Sequence, residues 1–319
     1  MPPDALVGPI RATFSRSGHL RDAQKEQTTS DGETTGQPPD NTYITNIGHV
    51  VTMGSIFWET ADEVIRREVQ SVSARRVILE ELEKGPKTGS QLREKIRHDM
   101  LRRAREGGDH EISIDDITVT DPKLYFNTRR LENLGIIISH KESQQRVFSL
   151  APRAAQAVRR VLNVTRNTTV ISSVSKPEQV RPLIHWFTQE AEPHFNRLRL
   201  VVEKERFSKG VTKDLSRYVP DGTTKRWEGV WDEVPKEIAG YHDGDVQGDL
   251  MATYAYIEKI LLEEITDRNV VLDLSTAPPI IGLAFCLLSN DYAVTAIYIH
   301  RHKARKTTLT HYIPGRGLL

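Results

Sequence analysis

Cationic and amide side chains gather in the middle of this 319-residue chain, between residues 121 and 163. That stretch holds 8 Lys and Arg against 3 Asp and Glu, whereas the whole chain is balanced at 44 against 43. Lys and Arg displace the counterions of nucleic-acid phosphates, and Arg, Asn and Gln hydrogen-bond to base edges. The local excess of positive charge therefore predicts contact with a polyanion, which the net charge of +1 alone does not.

The sequence that carries these side chains has a pattern typical of a helix followed by a two-stranded hairpin. Asp121 and Pro122 favour a helix start. The Asp121 carboxylate can accept hydrogen bonds from the free backbone N–H groups of the first turn, and Pro122 has no N–H that would be left unpaired there. Gly135 is predicted to end the helix in the left-handed conformation, before two short strands around a turn at 142–145. One buried helix face is predicted by leucines at helical spacing, namely Leu124, Leu131 and Leu134.

The run KLYFNTRRLENLGII, residues 123–137, resembles the recognition helix of PadR-type winged-helix transcription regulators. The Leu-Tyr pair, the double Arg, the Leu-Glu pair and the Gly-Ile-Ile fall in register with that family. The resemblance covers about residues 60–162 and implies a winged helix-turn-helix domain that binds double-stranded DNA. A solvated basic helix on some other small domain is the alternative interpretation.

We expect helix 122–133 to enter the major groove, while the hairpin touches the flanking groove or the backbone. The predicted DNA-binding residues are Lys123, Tyr125, Asn127, Arg129, Arg130, Lys141, Gln144, Gln145 and Arg146.

Apolar spacing upstream predicts the helices that support this segment. The pattern over 60–82 predicts one long helix or two abutting ones, closed by Gly85 and Pro86, and residues 88–90 are predicted to cap a second helix. The β-branched residues between 112 and 119 are predicted to add a third strand to the hairpin. Residues 152–162 are predicted to form a short amphipathic helix that either pairs subunits or links to the next domain.

After residue 164 the pattern changes to apolar, β-branched runs that alternate with helical segments: VISSV, RLRLVV, NVVLDLS and YAVTAIYIH. Such alternation predicts a mainly parallel sheet covered on both faces. With a weaker run near 227–234 and a closing run at 307–313, the last a candidate for antiparallel pairing, the sheet has about six strands. The predicted fold class is thus an α+β winged helix-turn-helix domain followed by an α/β Rossmann-like domain.

Two hydroxyl-rich loops, 172–177 and 273–278, follow predicted strands and lead into helices. Ligands of open parallel sheets collect at such carboxyl ends of strands. The predicted ligand-binding residues are Ser173, Ser175, Lys176, Asp273, Ser275 and Thr276. The alternative is structural, with Asp273 and Ser275 capping the next helix and the serines at 173 and 175 satisfying a turn. Neither GxGxxG nor GxxxxGK[ST] occurs, so we expect no dinucleotide cofactor and no P-loop.

The loops SSVSKP and VVLDLST, with the order of elements, resemble the CRISPR-associated Rossmann-fold (CARF) domains over residues 164–319. Those domains usually bind cyclic oligoadenylates or related nucleotides at a dimer interface, and many are fused to winged-helix effectors. The resemblance implies a homodimer and a nucleotide-type ligand. The chain departs from the family at Ala277, Pro278 and Pro279, where many members have a Gly-Gly and a Lys or Thr.

Two further clusters admit metal chemistry. The acidic group His242, Asp243, Asp245 and Asp249 suits Mg²⁺, which would make the protein a nucleotide-cleaving or nuclease enzyme tethered to DNA, but helix-start carboxylates explain it equally. The histidines at 300, 302 and 311 suit zinc or a basic strand edge. We expect no catalytic or metal residues, no cofactor and no enzymatic activity. A scaffold whose winged helix contacts protein is a third possibility.

Composition sets the remaining expectations. The single cysteine, Cys286, excludes an internal disulfide, and no apolar run reaches the roughly 18 to 20 residues that span a bilayer. The N-terminus lacks a hydrophobic signal core, so we expect a cytoplasmic protein without membrane contact. The predicted domains are a flexible tail at 1–40, the winged helix with its extension at 41–163, and the Rossmann-like sensor at 164–319. The predicted function is ligand-responsive transcription regulation by a dimer.

Overall fold

The structure, a computed structural model, describes residues 59–174, 183, 195–203, 228–240 and 248–299, together with the backbone strands at 300–302 and 307–313. All of these residues belong to one compact unit, which spans 53–319. The predicted tail at 1–40 lies outside the described residues. None of the described helices is long and apolar enough to cross a membrane.

Residues 59–162 form five α-helices, one 3₁₀ turn and a three-stranded antiparallel sheet. The elements are α1 (Ala61–Ser71), α2 (Ser73–Glu83), β1 (Lys87–Thr88), α3 (Gly89–Glu106), the turn Ile114–Asp116, α4 (Asp121–Asn133), β2 (Ile137–Glu142), β3 (Gln145–Leu150) and α5 (Pro152–Leu162). The strand order is β1-β3-β2. The predicted order of helix and hairpin is confirmed, and the upstream pattern is two abutting helices that meet at Val72.

The third strand of this sheet is not the one that we predicted. It is β1, in which Lys87 lies opposite Phe148 and Thr88 opposite Val147. The segment 112–119 instead contains the short 3₁₀ turn Ile114–Asp116, and Ile117 and Val119 after it bury their side chains. A two-residue strand leaves no alternating pattern, which is why the sequence did not indicate it.

The start of α4 also differs from the prediction. Thr120 is the N-cap, and its hydroxyl accepts a hydrogen bond from the Lys123 N–H. Asp121 is the first helical residue, and its carboxylate pairs with Arg93 instead of capping the helix. At the other end, Gly135 has a φ of +68°, which confirms the predicted left-handed stop.

The hydrophobic core of this half is formed by side chains from all of its helices and from the hairpin. Leu131 of α4 is fully buried, Leu124 is 8% exposed, and Leu134 packs against the core from its edge. The predicted leucine stripe is therefore confirmed, and it fixes which face of α4 remains outside.

The second half is a six-stranded sheet with helices packed against it. Its elements are β4 (Thr168–Ser173), β5 (Arg197–Glu203), β6 (Glu228–Val234), α6 (Lys236–Ala239), α7 (Leu250–Ile265), β7 (Asn269–Asp273), α8 (Pro279–Asp291), β8 (Thr295–His302) and β9 (Thr307–Ile313). The order is β6-β5-β4-β7-β8-β9, with β9 antiparallel to β8 and the other neighbours parallel. The predicted mainly parallel, Rossmann-like sheet is confirmed.

Successive residues of the central strands enter different cores, as a sheet that is buried on both faces requires. Val170 and Leu200 belong to one cluster, whereas Ile171 and Val201 pack in the other with α7 and α8. The helix predicted from 177 to 190 lies outside the described residues, except for Leu183, which is helical and buried.

Helix α5 joins the two halves through hydrogen bonds to backbone atoms. The Gln156 amide donates to the carbonyl of Val270 at 2.8 Å and accepts from the N–H of Val270 at 2.8 Å. Strand β8 pairs with β7 only from Val271 onward. At Val270, the Gln156 side chain therefore supplies the hydrogen bonds that a neighbouring strand would otherwise make. One turn later, the Arg159 guanidinium donates to the final carbonyls of α7, which a helix end leaves without partners.

Candidate functional site

The outward face of α4 is the first candidate site. Pro122, Phe126, Arg129 and Asn133 recur at helical spacing and are all exposed, directly opposite the buried stripe. Phe126 is 70% exposed and Tyr125, beside it, is 48% exposed. The Arg129 guanidinium has no hydrogen bond or ion pair with any residue that the structure describes. This face therefore presents one unpaired cation and two aromatic rings to solvent.

Two predicted DNA-binding residues, Asn127 and Arg130, have partners within the helical half of the structure. Asn127 is 7% exposed, donates to the Lys123 carbonyl at 2.8 Å and accepts from Arg75 at 3.1 Å. Arg130 pairs with Glu68 of α1, with 2.9 Å between Nη2 and Oε1. The prediction that Asn127 projects from the exposed face is wrong, because Arg75, itself paired with the buried Glu68 of α1, holds its side chain toward the helical core. Arg130 remains about half exposed, although its guanidinium is held by Glu68.

Glu68 is the centre of that network, with only 3% of its side chain exposed. Burial raises the pKa of Glu68, but hydrogen bonds and positive charge from Arg130 and Arg75 outweigh it, so the pKa lies below its ordinary value. The carboxylate thus stays ionised and ties α1, α2 and α4 together.

The hairpin supplies the rest of this surface. Arg146 donates to the Ser139 hydroxyl at 2.7 Å and pairs with Glu132 of α4 at 2.9 Å, while its guanidinium lies 5.5 Å from the Phe148 ring centroid. Arg146 is therefore a brace between the hairpin and α4. Lys141, Gln144 and Gln145 are among the exposed hairpin residues, and their side chains have no hydrogen bond with the described part of the chain.

A cleft of about 360 Å³ separates α4 from the hairpin and from the start of α3. Tyr125 and Gln145 line it, as do Arg93 and Arg146. Both arginines are already paired with carboxylates, Asp121 and Glu132 respectively. The unpaired positive charge of the α4 and hairpin surface consequently rests on Lys123, Arg129 and Lys141.

The second candidate site lies at the carboxyl ends of β4 and β7, where the strand order of the sheet reverses. Asp273 is 1% exposed, accepts from the Ser172 hydroxyl at 2.7 Å and accepts from the Ser275 N–H at 2.9 Å. Burial raises the pKa of Asp273, and the hydrogen bonds from Ser275 and Ser172 only partly oppose that effect. The carboxyl group thus joins the two strands and does not face solvent.

The other residues of this edge continue the same network. The Ser173 hydroxyl is fully buried and donates to the Val201 carbonyl at 2.9 Å. The Thr276 hydroxyl donates to the Ser173 carbonyl at 2.8 Å, and Ser275 accepts from the Ile299 N–H at 2.7 Å. Asp273 and Ser173 therefore form the floor of the strand edge, whereas the half-buried Ser275 and Thr276 remain at its surface.

The alternative of helix capping is wrong for Asp273, because α8 starts at Pro279 with Pro278 as a cap that makes no side-chain hydrogen bond. The predicted ligand residues Ser175 and Lys176 lie outside the described residues. The structure thus brings together four of the six predicted residues and buries two of them.

The structure describes only one residue of the acidic cluster, Asp249, with its side chain. Asp249 caps α7 by accepting from the N–H groups of Met251 and Ala252, at 2.8 and 3.0 Å. His242, Asp243 and Asp245 lie outside the described residues, as do the side chains of the histidines at 300, 302 and 311. Within the described ranges, no group of three His, Cys, Asp or Glu side chains is placed to hold a metal ion.

Comparison with known proteins finds no matching family model and no matching curated protein. Among solved structures, Can2 from Sulfobacillus thermosulfidooxidans in complex with cyclic tetra-adenylate matches at 13% identity, with a TM-score of 0.31 over 45% of this chain and 36% of that chain. Enterococcus italicus Csm6 bound to cyclic hexa-2'-fluoro-hexa-dAMP matches at 11% identity, with a TM-score of 0.32 over 47% of this chain and 42% of that chain. Each match thus spans less than half of either chain.

Proposed function

We propose that this protein is a dimeric, DNA-binding transcription regulator. In this proposal, residues 41–163 are a winged helix-turn-helix domain and residues 164–319 are a Rossmann-like sensor of a nucleotide-type ligand. The observation that carries the proposal is the outward face of α4. It combines an unpaired arginine, exposed aromatic rings and a neighbouring two-stranded hairpin with its own free cation.

The geometry of this face suits the major groove of duplex DNA. An α-helix fits a groove about 12 Å wide, and a hairpin beside it reaches the flanking backbone. Arg129 contacts a base edge or a phosphate, and Lys123 and Lys141 neutralise phosphates, because these three cations have no carboxylate partner among the described residues. Tyr125, Gln144 and Gln145 add polar contacts from the rim.

The supporting residues have a different part in the same proposal. Arg130 and Asn127 hold α4 on α1 and α2, and Arg146 holds the hairpin against α4. Preorganised helices lose less conformational entropy when they bind, so these contacts favour affinity without touching DNA.

The sensor part of the proposal rests on the strand order. Ligands of open parallel sheets bind beyond the strand ends at the point where the order reverses, which here lies between β4 and β7. The hydroxyl hydrogens of Ser275 and Thr276 go to Asp273 and to the Ser173 carbonyl, but their oxygens can still accept hydrogen bonds from a ribose. A ligand there would act on DNA binding only if it bound two conformations with different affinity. The contacts of α5 with β7 and α7 supply a direct route to the DNA-binding half.

The first experiment is selection from random 30-base-pair duplexes by the full chain at physiological salt. We expect enrichment of one sequence, lost in Arg129→Ala and kept in Lys259→Ala, which removes one exposed charge from α7. No enrichment by the native protein would refute the regulator. Binding that does not weaken as salt rises would favour the protein-contacting scaffold.

The second experiment tests the ligand. The CARF resemblance makes cyclic oligoadenylates the first probes, added to the full chain while its melting temperature and its DNA affinity are followed. We expect an upward shift in melting temperature, because a ligand that binds only the folded state stabilises it. Cleavage of the probe or of DNA in the presence of Mg²⁺ would favour the enzyme.

A further inference from the structure

Phe126 occupies the middle of the outward face of α4 and has no part in the fold. Its ring is 70% exposed, while α4 packs on the core through Leu124 and Leu131. The neighbouring Tyr125 ring meets it edge to face, with centroids 6.1 Å apart at an interplanar angle of 68°. Isolated exposed apolar residues are common on protein surfaces, but this ring lies one turn from Arg129 on the face proposed to enter DNA.

The chemistry of the major groove offers one apolar group to such a ring. Each A·T pair exposes the C5 methyl group of thymine there, and G·C pairs expose only hydrogen-bonding groups. A phenyl ring cannot hydrogen-bond to base edges, so its preference in the groove depends on that methyl group. We propose that Phe126 selects thymine by packing its ring on the C5 methyl, an inference that rests on the proposed DNA-binding function.

The position of Phe126 relative to Arg129 makes the proposal more specific. Three residues of α-helix advance about 4.5 Å along the axis, and base pairs of B-form DNA are stacked about 3.4 Å apart. Arginine most often contacts guanine, through O6 and N7. The recognised sequence should therefore contain a thymine within one or two base pairs of the guanine that Arg129 contacts. Contact with Tyr125 limits the motion of the Phe126 ring and keeps it over one base step.

The test replaces the thymines of the selected duplex, one at a time, with deoxyuridine, which keeps the hydrogen-bonding groups and lacks the methyl group. At one of these positions, the affinity of the full native chain should fall about fourfold, the value expected for one buried methyl group. Phe126→Ala should bind both duplexes equally, and Phe126→Leu should keep part of the difference. Because the ring is exposed, neither substitution disturbs the core. Leu283→Ala, which removes another exposed apolar side chain, from α8, should discriminate like the native protein.

Three results would overturn the inference. The native protein would bind every deoxyuridine duplex as tightly as the parent, or Phe126→Ala would still discriminate, and in both cases DNA binding itself would remain. If no sequence is selected by the native protein, the proposed function and the inference fail together.

Discussion

The guanidinium of Arg130 forms an ion pair with the buried carboxylate of Glu68, with 2.9 Å between Nη2 and Oε1. Its neighbour in sequence, Arg129, lies on the outward face of α4 beside Phe126 and has no hydrogen bond or ion pair with the described residues. Two consecutive arginines on the same helix thus differ: Arg130 fixes α4 to α1, whereas Arg129 has no partner among the described residues.

Replacing each of the two arginines with alanine should affect different properties, DNA affinity for Arg129 and stability for Arg130. Arg129→Ala should lower DNA affinity by about 1 to 3 kcal/mol and change the free energy of unfolding by less than about 0.5 kcal/mol. Arg130→Ala should lower the free energy of unfolding more than Arg129→Ala does, but only modestly, because half of the side chain is exposed and Arg75 still pairs with Glu68. Fluorescence anisotropy and urea unfolding measure the two effects. Equal effects of both variants on the free energy of unfolding would contradict a supporting role for Arg130 alone.

Acid should destabilise the protein through three buried glutamates that are paired with arginines. Burial raises the pKa values of Glu68, Glu83 and Glu264, yet hydrogen bonds and positive charge from arginines bring each pKa below its ordinary value. For Glu264, a hydrogen bond from Thr169 contributes as well. A carboxylate with a lowered folded-state pKa stabilises the fold at pH values above its unfolded pKa. That stabilisation is lost as the pH falls through the folded pKa.

The free energy of unfolding should therefore decrease as the pH is lowered below about 4.5. Urea unfolding at successive pH values measures this decrease. Glu68→Gln should be less stable at neutral pH and should show a shallower decrease in acid. A Glu68→Gln profile parallel to that of the native protein would show that this carboxylate is not stabilised in the folded state.

Replacement of Gln156 tests how α5 is attached to the sheet. Gln156→Ala leaves both the N–H and the carbonyl of Val270 without their side-chain partner in a buried position. Unsatisfied buried polar groups cost about 1 to 3 kcal/mol, so the free energy of unfolding should fall by that amount. Lys259→Ala on the exposed side of α7 is the control and should stay within about 0.5 kcal/mol of the native protein. A loss no larger than that of the control would mean that water replaces the Gln156 amide.

The hairpin lysine should affect the salt dependence of DNA binding. Lys141 has no partner among the described residues, and one phosphate contact contributes about 0.9 to the slope of log affinity against log salt. Lys141→Ala should reduce that slope by about one and weaken binding to all sequences alike. An unchanged slope would place Lys141 away from the DNA backbone.

Periodicity predicted the helices, the hairpin and the mainly parallel sheet, because each depends on local spacing of apolar residues. Gly135 could be assigned its left-handed conformation from residue type alone. The short strand β1 could not be predicted, because two residues make no alternating pattern. The cap at Thr120 could not be predicted either, because Asp121 is an equally good cap by residue type.

The division of the site residues into binding and supporting groups needed the structure. Arg129 and Arg130 are identical in type, and what separates them is Glu68, distant in sequence. The available signal was a glutamate at helical spacing between Ile65 and Val72, on the apolar face of α1, where an unpaired charge would be costly. The sequence likewise predicted the serines and Asp273 as a group, but not that they hydrogen-bond to one another.

Photo-crosslinking from the outward face of α4 tests the central claim most directly. Benzoylphenylalanine in place of Phe126, in the full chain mixed with its selected duplex, should give a covalent protein–DNA adduct on irradiation, mapped to one base step by sequencing. The same group in place of Leu283 on α8 should give none. An adduct from position 283 and none from position 126, or no adduct from either, would contradict the assignment of α4 as the DNA-binding helix.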